Sequence, residues 1–322
     1  MSAEPILEPS LRIVDAHHHL RDRDGEIYLA EQYLADVASG HRVVASVAVE
    51  TSVRYRSSGP AAMRPIGETE FLAGTAQACL APPYVAAAIV GYADLCLGDD
   101  VAAVLEAHVT AARGRFRGVR MATPWHEDPR LEYPRRAVAP HALGEARFRR
   151  GFAQLAPLGL AFDAWLYHTQ LDDVADLARA FPATTIVLDH VGGPLGSGPF
   201  EGRRREVFAP WREAMRALAA CGNVVVKIGG FGMPVMGFGF DRMRQRPGSA
   251  IVAEAWRPYI ETTVEAFGAA RCMFESNFPP DRQSVSYATL WNAFKRVAAA
   301  WSPAERAMLF HDTAARVYGI AA

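Results

Sequence analysis

Along the 322-residue chain, short β-branched or apolar runs alternate with stretches of longer period. The runs cover 13–17, 43–49, 84–92, 116–122, 160–167, 185–189, 223–228 and 271–275. Each is bounded by Gly, Pro or charged residues, as strands are. Between them, 30–38, 99–112, 171–180, 205–220 and 250–267 carry apolar residues at three- and four-residue spacing, which predicts helices with one buried face. Gly40, Gly114, Gly159, Gly222 and Gly268 stand where such helices stop. The stretch 303–318 is predicted as a closing amphipathic helix. Strands alternating with helices in this way predict a parallel sheet closed into a (β/α)8 TIM barrel, with an open doubly wound sheet as runner-up. No GxGxxG follows the first strand and no GxxxxGK[ST] occurs, which weakens the open-sheet reading. The absence of GxSxG counts against a serine hydrolase of the α/β type.

Composition narrows the classes. Half of the residues are apolar, enough for a large core, and 34 Lys plus Arg against 35 Asp plus Glu leaves no basic excess for nucleic acid. No apolar run approaches the ~18 residues of a membrane helix. Residues 1–11 lack the basic and apolar regions of a signal peptide, so a cytoplasmic protein is expected, with 1–11 as an extension on one barrel domain spanning 1–322. Cys79, Cys96, Cys221 and Cys272 are far apart in apolar stretches and read as buried thiols. A homo-oligomer without membrane or nucleic-acid partners is expected. The Gly, Met and Phe of 229–240 predict a mobile lid over the barrel mouth.

Candidate chemistry gathers at predicted strand ends. The first strand ends Asp15-Ala16-His17-His18-His19. Alternation would turn His17 and His19 to one face with Asp15 below them, so both imidazoles could reach one cation. His168 ends the fifth strand and His190 the sixth. The eighth runs Cys272-Met273-Phe274-Glu275-Ser276-Asn277-Phe278-Pro279-Pro280-Asp281, where alternation turns Glu275 and Asn277 inward. Arg120 ends the fourth strand and Lys227 lies in the seventh. Buried cations need carboxylate partners, and Asp15, Glu50 and Glu275 are available, a Lys227–Glu275 pair among the options. The other reading makes Arg120 and Lys227 contacts for a substrate carboxylate.

The DAHHH opening, the DH after the sixth strand and the closing FESNFP resemble the amidohydrolase superfamily in its amidohydrolase-2 branch, from residue 15 to 318. That branch holds sugar lactonases, 2-pyrone-4,6-dicarboxylate lactonase and aromatic-acid decarboxylases. The resemblance implies a distorted (β/α)8 barrel, with His17, His19 and His168 as ligands of a divalent metal, zinc or manganese, and His190 orienting the attacking water. The family commonly places Asp where this chain has Asn277. A carboxamide cannot serve as general base. That leaves His190, Glu275 and Asp281 for the proton, and implies weaker metal binding or a metal-free site in which the histidines and Arg120 polarise a carbonyl. The implied function is hydrolysis of a lactone or similar ester-like bond in a small acidic or polyhydroxy molecule. Non-oxidative decarboxylation, amide or carbamate hydrolysis, and a metal-depleted binding protein are the alternatives.

Overall fold

The computed structural model describes residues 4–23, 25–79, 81–133 and 137–321; the first three residues of the expected extension lie outside them. The eight predicted runs are all strands: β1 (Arg12–His18), β4 (Arg42–Val49), β5 (Tyr84–Gly91), β6 (Phe116–Arg120), β7 (Ala161–Ala164), β8 (Ile186–Leu188), β9 (Val224–Ile228) and β10 (Cys272–Phe274). They form one sheet in that order, every neighbouring pair parallel. A hairpin of β2 (Arg21–Arg23) and β3 (Glu26–Tyr28) is inserted after β1. The barrel closes where β1 meets the chain just past β10: His19 N donates to Phe278 O at 2.8 Å and Asn277 N to His17 O at 2.8 Å. The result is a distorted (β/α)8 barrel.

The predicted helices are α1 (Ala30–Val37), α3 (Val101–Ala111), α5 (Leu171–Ala180), α6 (Arg204–Ala219) and α7 (Ser249–Phe267). Three more lie outside the prediction: α2 (Ile66–Ala78), α4 (Ala146–Phe152) and α8 (Tyr287–Ala298). In α2 buried positions occur on successive residues, Ile66 to Thr69, so no single stripe marks it. The closing stretch is broken into helical pieces at Pro303–Ala307 and Thr313–Val317, joined by a wider turn at Met308–Asp312.

Most of the apolar core lies between sheet and helices, with Trp211, Trp256, Trp291, Phe162 and Phe274 fully buried there. A second, smaller core fills the lumen, where Ala45, Val47, Ala88, Val187, Val225 and Met273 pack on Tyr318 from the chain's last helical turn. Residues 4–11 are strapped across α7 and α8. Glu4 accepts from Ser249 Oγ at 2.6 Å, Asn292 accepts from Leu7 N at 2.8 Å, and Lys295 Nζ donates to the carbonyls of Leu7 and Glu8, both at 2.9 Å.

Two expectations need correction. The segment 229–240 does border the mouth, but it is packed. Phe231 and Met236 are fully buried, Gly232 N donates to Asp281 at 2.8 Å and Gly232 O accepts from Ser284 Oγ at 2.6 Å. A wall held at both the N–H and the carbonyl of one residue is not a free lid. Asp15 is not below His17 and His19. The β1–β4 register shifts between Asp15 and His18, a bulge that resets alternation. Asp15 instead faces the helix layer, accepting from Tyr33 Oη (3.0 Å), Tyr287 Oη (3.0 Å) and Ser276 N (2.8 Å) and Oγ (2.7 Å).

Candidate active site

Above the apolar floor of the lumen the inner face becomes charged. Two residues beyond Ala161, Val187, Val225 and Met273, and so on the same face, stand Asp163, Asp189, Lys227 and Glu275, all fully buried. Lys227 Nζ donates to Asp163 Oδ2 at 2.5 Å and lies 3.3 Å from Asp189 Oδ1. The anticipated Lys227–Glu275 pair is therefore not made; two nearer carboxylates take the ammonium. Arg120 Nε donates to Glu50 Oε1 at 3.0 Å and Nη2 to the Glu50 carbonyl at 2.6 Å, while Nη1 lies 3.2 Å from His17 Nε2 and 3.7 Å from Asp189. Each terminal nitrogen of Arg120 thus has a partner inside the protein, and the side chain is almost fully buried. Between the two readings of these cations, this is the internal network.

Over this layer sit three imidazoles. His17 and His19 bring their Nε2 atoms to 3.2 Å. His19 Nδ1 donates to the Val49 carbonyl at 2.8 Å, which leaves its Nε2 with a lone pair. His17 Nδ1 lies 3.0 Å from Glu275 Oε2 and His190 Nδ1 2.6 Å from Glu275 Oε1. The His190 ring is 4.7 Å from that of His17. Glu275 Oε1 therefore orients His190 through both Nδ1 and the backbone N, the latter at 3.2 Å, while His17 Nδ1 lies between Glu275 Oε2 and Lys227 Nζ, the latter at 3.3 Å. His190 and Val191 hold left-handed backbone, φ 54° and 48°, which costs ~1–3 kcal/mol each and is sustained by such fixed partners. Room for the group comes from two glycines after β9. A Cβ at Gly229 would lie 2.4 Å from Glu275 Cγ, and one at Gly230 2.6 Å from the His190 ring.

His168 and Asn277 lie differently from the alternation. β7 ends at Ala164, and His168 opens a turn, His168–Gln170. Its Nδ1 accepts from Leu195 N at 3.3 Å and its ring meets Phe200 at 5.3 Å. Among the described residues it makes no hydrogen bond or ring contact with His17, His19 or His190. Asn277 lies past the end of β10 with φ 50°, and its Nδ2 donates sideways to Asp281 Oδ1 at 2.8 Å.

Electrostatics follow from burial and these neighbours. Burial would raise the Glu275 carboxyl, but His190 and His17 hold it down to about 2. Burial likewise works against the Asp189 carboxylate, and Lys227 and His17 outweigh it, so its pKa is lowered well below the usual value. Burial raises Asp163 to about 6 and Asp281 to about 7. Burial and the Lys227 charge lower His17, keeping it neutral.

A divalent cation fits this donor set. Two nitrogens about 2.1 Å from one ion at roughly tetrahedral angles lie about 3.2–3.4 Å apart, the spacing seen for His17 and His19. The opposite nitrogen of His19 faces a carbonyl, as in metal-bound imidazoles, whereas that of His17 lies between the Glu275 carboxylate and the Lys227 ammonium, and its Nε2 also meets Arg120. His17, His190 and Glu275 also offer ligand atoms within 4.8 Å of one another. Among the described residues three buried carboxylates, Asp163, Asp189 and Glu275, surround Lys227, and both Asp189 oxygens and Glu275 Oε2 are sealed from solvent without an aligned hydrogen bond. The excess of negative charge favours a cation.

A cavity of ≈480 Å³ is walled by Leu131, Tyr133, Trp165, Tyr167, Met233 and Pro280. Trp165 joins it to the polar group, its ring centroid 4.8 Å from that of His190. Sequence reasoning missed Asp163, Asp189 and Trp165. A charged residue inside the apolar run FDAW and the Asp of IVLDH, two beyond an inward Val, were the available signals.

A family model for amidohydrolases matches residues 14–320. The chain belongs to the amidohydrolase family. It is thereby placed among hydrolases. An uncharacterised family relative, protein y4mH of Sinorhizobium fredii, is 35% identical over 333 residues, covering 96% of this chain and 99% of that protein. An L-fucono-1,5-lactonase of Burkholderia multivorans is 30% identical over 236 residues, 73% of this chain and 72% of the lactonase. A crystal structure of a Burkholderia multivorans amidohydrolase with bound zinc superposes with TM-score 0.73 at 27% identity, over 96% of this chain and 99% of that one. A Pseudomonas putida putative 2-pyrone-4,6-dicarboxylic acid hydrolase shares the fold at TM-score 0.65 and 21% identity, over 97% of this chain and 99% of that one.

Proposed function

We propose that this amidohydrolase opens a lactone or similar ester-like ring of a small organic or sugar acid with an activated water. The observation that carries the reading is the Glu275–His190 contact of 2.6 Å beside the His17/His19 pair. Glu275 accepts from Nδ1–H of His190 and fixes the tautomer, so Nε2 presents a lone pair for a proton. His190 is then the base that takes the proton from water and returns it to the ring oxygen as the bond opens. Because Glu275 stays ionised, it also stabilises the imidazolium in between.

His17 and His19 would hold a divalent ion, which when bound polarises a carbonyl and acidifies water. Arg120 and Lys227 act in this reading by setting the charge of the layer beneath, and Trp165 and Tyr167 offer flat faces for a ring. Asn277 contributes a carbonyl acceptor rather than a base. His168 lines the neighbouring turn and is not assigned a ligand role. The lactonase names of distant relatives support the lactone as bond type. The decarboxylase alternative finds support only in shared fold.

Acid release from a panel of 1,5- and 1,4-lactones, followed with a pH indicator, tests the reading. Wild type should turn over at least one, and Glu275→Gln should lower kcat at least ~100-fold with its circular dichroism unchanged, since general-base assistance contributes about 10²–10⁴. Carbon dioxide released from aromatic acids, with no lactone opened, would replace hydrolysis by decarboxylation.

A further inference from the structure

The loop after β10 carries a second carboxylate, Asp281, that the chemistry above does not use. Asp281 N donates to Asn277 O at 3.1 Å, so the two residues face each other across one turn. Asp281 Oδ1 accepts from Asn277 Nδ2 at 2.8 Å, and Oδ2 accepts from Gly232 N at 2.8 Å. Above about pH 7, where Asp281 is ionised, its carboxylate can only accept, and the amide turns its NH2 to it. The NH2 of Asn277 is committed to Asp281, and its carbonyl oxygen points the other way. Among the described residues that oxygen accepts no hydrogen bond, and it is not one of the sealed, unpartnered atoms. Asn277 N donates to His17 O at 2.8 Å, so residue 277 lies beside the end of β1 that leads on to His19. Asp281 fits because position 232 is glycine: a Cβ there would lie 2.9 Å from the Asp281 carboxyl.

We infer that Asp281 is a positioning residue of the active site, its carboxylate holding the Asn277 carboxamide with the carbonyl oxygen turned to the barrel mouth. The chain keeps a carboxylate here, but four residues further on, behind an amide. What the oxygen faces rests on the hydrolytic reading; the pairing itself does not.

The pair predicts how substitutions combine. Asn277→Asp puts two carboxylates where a donor met an acceptor, at contact distance in a buried loop, and they repel. Asp281→Asn must still offer an oxygen to Gly232 N–H, so it turns its own NH2 toward Asn277. The Asn277 amide then flips and presents NH2 to the mouth. The exchange Asn277→Asp/Asp281→Asn restores one donor and one acceptor, with the negative charge now next to the imidazoles.

The test is a double-mutant cycle on the whole protein, stripped of metal, at pH 8. Asn277→Asp should lower the thermal midpoint by about 5 °C, and the exchange should return to within about 2 °C of wild type. In zinc titrations read by calorimetry, the exchange should bind about tenfold more tightly than wild type and Asp281→Asn more weakly than wild type. Additive midpoint changes, or an exchange no better folded than Asn277→Asp alone, would overturn the pairing. Unchanged zinc affinity in Asp281→Asn would overturn the positioning of the oxygen. If none of the four proteins opens a lactone, the hydrolytic reading fails while the midpoint cycle still decides the pair.

Discussion

Asp281 and Glu275 are both fully buried carboxyls six residues apart, yet burial is answered differently at each. Glu275 has two imidazoles against it and stays ionised far into acid. Asp281 has an amide and a peptide N–H, and burial raises it to about 7. In the unfolded chain an Asp titrates near 3.9. Between about pH 4 and 7 the folded protein therefore holds a proton at Asp281 that the unfolded chain has released. Stability associated with this group is greatest at low pH and is lost as pH rises through about 7. Asp281→Asn removes this titration and leaves the others. The midpoint advantage of wild type over Asp281→Asn should be larger at pH 5.5 than at pH 8.5, measured by thermal scans without metal. A gap that widens with pH would mean that Asp281 is ionised throughout.

At the scale of elements, the strap of residues 4–11 depends on one side chain of α8. Lys295 Nζ donates to two strap carbonyls and lies 2.9 Å from His41 Nδ1. Lys295→Met removes the charged donor from two part-buried carbonyls, at about 1–2 kcal/mol for each hydrogen bond lost. The variant should unfold at lower urea concentration by about 2–4 kcal/mol, and trypsin should cut after Arg12 faster than in wild type. An unchanged urea midpoint would show that Glu4, Asn292 and Arg306 hold the strap alone. The strap also marks what the pattern of the chain could convey. Strand runs such as 224–228 were legible because a buried parallel strand is apolar on both faces. Helices α5 and α7 were legible through their striped spacing, whereas the turn at 189–192 and the register shift in β1 were not, because neither leaves a periodic trace. His17, His19, His190 and Glu275 were readable as strand-end chemistry. The paths of Asp15, His168 and Asn277 were not, since alternation holds only while the strand stays regular.

At the scale of the whole molecule, the charged layer holds more carboxylates than cations among the described residues, and a bound divalent ion would redress this while favouring the folded state by mass action. Zinc at about 100 times its Kd should contribute about 2.7 kcal/mol and raise the thermal midpoint by about 4 °C, an effect that a chelator abolishes. Replacing His19 by Ala should remove most of the shift; a shift that survives would move the ion to other residues. The barrel seam has a consequence for how the protein is made. Asp15 accepts from Ser276, 261 residues away in sequence, and the strand bearing His17 meets its second neighbour through residues 276–278. At about 5–20 residues per second on the ribosome, the first strand waits about 13–50 s for that partner. During that time an edge of apolar strand stands open at the tunnel exit, where chaperones work, and the histidines at its end have no carboxylate to orient them. The site is therefore assembled late in synthesis, from the first and last parts of the chain together.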